Sequence, residues 1–159
     1  NDETNHAVVD TLCHGYQHLG QRATQNQLNA DSIGNKTALA AVPELSAQSM
    51  NLLQRAIGVA LLDEREAPVA KAISKSLTQR TRPVLEAFGT FKPGDFAAAM
   101  YQMSSQAYEA RVNVVGDLRL LFHTDILKTE GARFKGEFPA LPISTWGDVF
   151  KHAKGRPSK

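Results

Sequence analysis

The stretch FAAAMYQMSSQAYEARVNVVGDLRLL, residues Phe96–Leu121, decides how the fold is read. Its apolar residues Phe96, Met100, Met103, Ala107, Ala110, Val114, Leu118 and Leu121 recur at i, i+3, i+4 and i+7, the rhythm of one face of an α-helix. At roughly 100° per residue they stay within about 40° of one line. Tyr101, Tyr108, Val115 and Phe122 form a second row beside the first. A helix with two adjacent apolar rows can seat more than one partner helix.

Working outward, the chain ahead of this stretch reads as three further helices. The first runs from about Thr4 to Leu28, with Val8, Val9, Leu12, Tyr16, Leu19 and Ala23 on one face. Turn chemistry follows over Asn29–Lys36, and Thr37–Ala41 reads as a short turn of helix. The second begins at Pro43, suited to a first turn, and ends near Leu62. Its wide apolar face, Leu45 to Leu62, calls for a central position or a covering partner.

Asp63–Ala67 is an acidic connector, and Pro68 opens the third helix. Pro83 removes a hydrogen bond and clashes one turn back, so a kink or restart is expected near Arg82, with Gly89 closing the helix. Asp95 is placed to cap the helix that follows.

Beyond Lys128 the composition changes. Phe134, Phe138, Pro139, Leu141, Pro142 and Ile143 read as an extended arm, and Thr145-Trp146-Gly147-Asp148 as the start of a short helix. A basic end, Lys151–Lys159, reads as a solvated terminus or linker rather than a minor-groove reader. The expected fold is therefore all-α: an antiparallel up-down four-helix bundle over residues 1–128, with a C-terminal extended arm and short helix over 129–159.

Bulk properties narrow the function classes. Of the 159 residues 42% are hydrophobic, enough for a core of ordinary size, and the formal charge of +2 gives no reason to expect nucleic acid. The single cysteine, Cys13, excludes an internal disulfide and a cysteine-based zinc site. No apolar run reaches the roughly 18 residues of a membrane span. The chain opens at Asn1 without methionine, which reads as a processed protein or a piece of a longer one.

No catalytic motif is present. Gly-x-Ser-x-Gly and phosphate-cradling glycine loops are missing, and Cys13 and His14 are helical neighbours that point about 100° apart. The expectation is a non-enzyme with no cofactor. His6, Asp10, His14 and His18 recur every fourth residue and are weak candidates for a metal site, opposite the apolar face of the first helix.

Two loops give a stronger lead. In an up-down bundle, the loops after the first and third helices share one end. They carry Ile33 with Lys36, and Phe91 with Lys92, each a hydrophobe beside a cation. Asp63, Glu64 and Glu66 mark the other end as acidic. An apolar tip with lysines suits an anionic lipid surface, at about 1 kcal/mol per lysine.

This helix order, with Ser32-Ile33-Gly34-Asn35-Lys36 and Phe91-Lys92-Pro93 at one tip, resembles the four-helix-bundle membrane-localisation (lipid-raft-targeting) domains of bacterial toxins and type III effectors, such as that of the Bordetella type III cytotoxic effector. The resemblance covers roughly residues 4 to 128. It implies a module of a larger secreted virulence protein, bound to acidic phospholipids such as phosphoinositides at the inner face of a host plasma membrane. The lipid-binding residues would be Ile33, Lys36, Phe91 and Lys92. Alternative readings are a protein-interaction or structural domain docking a partner helix on Leu45–Leu62, a metal-responsive sensor built on the first-helix histidines, and a catalytic fragment whose other residues lie elsewhere.

Overall fold

The computed structural model describes Leu12 and residues 36–137. Its centre is a two-stranded ribbon. Strand β1 (Thr37–Ala41) pairs antiparallel with β2 (Leu118–Phe122), Thr37 opposite Phe122 and Ala41 opposite Leu118. The His123 N–H donates to Lys36 O at 2.7 Å and the Val42 N–H to Asp117 O at 3.0 Å, extending the ladder one step at each end. Both strands correct the sequence reading, which made Thr37–Ala41 a helical turn and Leu118–Phe122 the end of a long helix.

The physical reason is burial on both faces. Leu39, Leu118, Leu120 and Phe122 enter one apolar cluster with Ile57 and Leu127. Ala40 and Leu121 enter a second with Val42 and Met50. A strand covered on both sides needs no polar alternation, so its apolar run does not distinguish it from helix. Leu12 is fully buried in the larger cluster.

The described residues are otherwise mostly helical: α1 (Ala47–Ala60), α2 (Ala67–Gln79), α3 (Thr81–Phe88), α4 (Pro93–Gln102), α5 (Ser105–Glu109), α6 (Val112–Val115) and α7 (Thr124–Glu137). The helix expected over Phe96–Leu121 is thus three short helices followed by a strand. Helix α1 starts later than Pro43, because Ser46 caps it by accepting from the Ser49 N–H at 3.0 Å. The expected restart before Pro83 is present: α2 ends at Gln79 and α3 begins at Thr81. Gly89 closes α3 at φ 74°, a left-handed conformation that favours glycine. Helix α7 runs through the expected boundary at residue 128, so residues 129–137 are helix rather than extended arm.

Both open edges of the ribbon are capped. On β1 the Leu39 N–H donates to Phe91 O at 2.8 Å and the Ala41 N–H to Arg80 O at 3.1 Å. On β2 the fully buried Gln54 side chain acts as a one-residue third strand: its Nε2 donates to Leu120 O at 2.9 Å and its Oε1 accepts from the Phe122 N–H at 2.8 Å. Arg119 is also buried and donates to three carbonyls, Leu45 O at 2.6 Å, Gly116 O at 2.5 Å and Leu118 O at 2.8 Å. Satisfying these groups matters because each unpaired one would cost about 1–3 kcal/mol.

Helix α1 packs most extensively on α7, and glycines allow the approach. A Cβ on Gly58 would lie 3.0 Å from the Leu127 carbonyl carbon and closer to its oxygen; one on Gly131 would lie 2.7 Å from Val59 N. No larger residue fits either position while the helices hold this spacing.

Candidate functional site

Lys36 and Lys92, expected at one tip, each adjoin a backbone contact of β1. Lys36 immediately precedes the strand. Lys92 follows Phe91, whose carbonyl binds the Leu39 N–H three residues into that strand. Both lysines are exposed. The His123 N–H bonded to Lys36 O also sets the start of α7 beside Lys36. The start of α7, itself partly positive, thus lies beside the Lys36 backbone, while Lys92 follows a residue bonded to the opposite edge of β1.

Acidic groups temper this field. Asp125 lies in the first turn of α7, its Oδ2 3.2 Å from His123 Nδ1, and its N–H donates to that nitrogen at 3.3 Å. Asp95 was expected to cap α4. Instead the helix begins at Pro93, with Asp95 inside the first turn. Its carboxylate accepts from the Thr90 hydroxyl at 2.5 Å, while Thr90 Oγ1 accepts from the Lys92 N–H at 3.2 Å. These two bonds fix the turn that presents Lys92.

Phe91 does not form an apolar tip. It is half-buried and packs on the larger cluster. Phe88, which the helical pattern assigns to the covered side of the third helix, is 41% exposed, with its ring edge-on to Phe96 at 5.0 Å. The exchange follows from Gly89: its left-handed turn reverses the chain and carries Phe91 back over β1. The exposed aromatic of α3 is thus Phe88, with Leu85 exposed one turn earlier. A pattern read within one helix cannot find this, because the Leu39–Phe91 bond joins distant parts of the chain.

Ile33, the fourth expected lipid contact, lies outside the described residues, as do His6, Asp10, His14 and His18. Among the described residues no three His, Cys, Asp or Glu side chains gather to hold a metal ion, and no helix is long and apolar enough to cross a membrane. The wide face of the second expected helix is largely covered by β2, α2 and α7, with Leu52 exposed on its outer side. Neither a known family model nor a curated protein matches this chain.

Proposed function

We propose that this domain docks on anionic phospholipid, with phosphoinositide headgroups as the ligand class, through Lys36, Lys92 and the N-terminus of α7. Ile33 belongs to the same proposal as an apolar contact, and Phe88 takes the part first given to Phe91. The observation that carries the reading is the Leu39–Phe91 hydrogen bond, which ties the Lys92 turn to the strand that Lys36 precedes. Clustered cations beside a helix N-terminus are a general solution for binding phosphate.

The wider proposal is a targeting module of a secreted bacterial effector, peripheral at the inner face of a host plasma membrane. Its frame would be an up-down helical bundle in which α1, α2–α3 and α7 are the described members. No catalytic role is part of this reading.

Vesicle co-sedimentation tests it. Binding is expected to require phosphoinositide or another anionic lipid and to weaken as salt screens the charges. The double variant Lys36→Glu with Lys92→Glu is expected to weaken binding by about 30-fold or more, from two lysines worth about 1 kcal/mol each. Both side chains are exposed, so the thermal midpoint should stay close to that of the parent. Unchanged lipid binding by a folded double variant would overturn the proposal.

A further inference from the structure

Helix α2 rests on the domain along a narrow line. Ala70, Ser74 and Leu77 recur at i, i+4 and i+7; Ala70 is fully buried and the other two are half-buried. Val69 and Ile73 of the same helix are exposed. Packing alone would favour an apolar residue in the middle of the covered line, yet serine stands there.

Ser74 lines a small cavity between α1, α2, β2 and α7, with a volume of about 10 Å³. Gln54 and Thr78 join it as polar neighbours, and Ile57, Phe122 and Leu127 are among the apolar walls. Gln54 is 1% exposed, and its amide carries two N–H groups. Nε2 gives one hydrogen to Leu120 O at 2.9 Å, and Oε1 accepts from the Phe122 N–H at 2.8 Å. Among the described residues nothing accepts the second Nε2 hydrogen and nothing pairs with the Ser74 hydroxyl. The Thr78 hydroxyl donates to Ser74 O at 2.9 Å, which leaves its own lone pairs ready to accept.

We infer that this cavity is a binding site for one ordered water molecule, which accepts from the second Gln54 N–H and donates to the Ser74 and Thr78 hydroxyls.

Size and chemistry select the ligand. The volume corresponds to about one water-sized sphere, which is too small for an organic molecule, and about three polar partners are typical of a buried water. A buried N–H with no acceptor is destabilising, so the amide itself favours a filled site over a dry one. The water gives α2 a tie to each strand of the ribbon. Arg80 O, just past the end of α2, accepts from the Ala41 N–H of β1 at 3.1 Å. Through the water, Ser74 and Thr78 reach Gln54, the cap of β2. Neither lysine of the headgroup site takes part, so the two sites stand or fall separately.

A crystal structure of the full chain, at a resolution where single waters are visible, tests the site directly. A water within hydrogen-bond distance of Gln54 Nε2 and Ser74 Oγ is expected. Thermal unfolding supplies a second test through its sign. Ser74→Val fills the cavity with apolar atoms and excludes water. Filling a dry void would raise the thermal midpoint, whereas filling a hydrated one strands the amide. Ser74→Val is therefore expected to melt about 3 °C or more below Ser76→Val, an exposed control on the same helix that carries the same change in helix propensity. A cavity without water in the crystal, or a Ser74→Val midpoint at or above that of the control, would overturn the inference. Should Ser74→Val fail to fold, the parent crystal structure decides alone.

Discussion

The ribbon and the α5–α6 segment come from one helical pattern and meet opposite fates. Leu118–Phe122 is buried along its whole length, paired with β1 on one edge and with Gln54 on the other. Residues 103–114, a few positions earlier, are exposed apart from half-buried Tyr108 and Arg111. Periodicity is a statement about which side chains share a face, and both regions satisfy it. What separates them is supply from far along the chain: β2 receives a strand 77–85 residues away in sequence and an amide from α1, whereas α5 and α6 reach the core through half-buried Tyr108 and Val115.

That contrast can be broken at its tightest point. Gly131→Ala is expected to cost at least about 3 kcal/mol, because the new methyl group meets backbone at Gly58 and Val59 rather than a movable side chain. The sign is informative, since alanine in a helix otherwise gains up to about 1 kcal/mol over glycine. Urea denaturation reads the shift directly. Gln54→Leu comes next. It keeps an apolar filler of similar length but strands Leu120 O and the Phe122 N–H, for an expected loss of about 2–4 kcal/mol. A loss under about 1 kcal/mol would mean that the edge of β2 finds another partner. The smallest effect is the control. Gly136→Ala, in the same helix as Gly131 but with open space around its Cβ, should be neutral or stabilising by up to about 1 kcal/mol.

Local signals in the sequence located what depends on local chemistry. Pro83 and Gly89 mark the restart and end of the third expected helix to within two or three residues, since a missing N–H and a left-handed cap act within one turn. The ribbon was not legible for two reasons. Thr37-Ala-Leu-Ala-Ala carries no β-branched residue beyond Thr37, and Leu-Arg-Leu-Leu-Phe is buried on both faces and continues a helical rhythm. Arg119 would ordinarily argue against a buried strand, yet three carbonyls hold its guanidinium.

The candidate site divides in the same way. Lys36 and Lys92 stand out by charge in loop sequence. The choice between Phe88 and Phe91 was not open to reading, because it depends on how Gly89 returns the chain to Leu39. Exposure near a site is fixed by such long-range bonds, whereas residue type is visible from the start.

Amide hydrogen exchange tests the central contrast most directly, because it reads both regions in one protein. Amides of Leu118–Phe122 are expected to exchange only through global unfolding, and those of residues 105–116 to exchange quickly through local opening. Equal protection of the two regions would contradict the account.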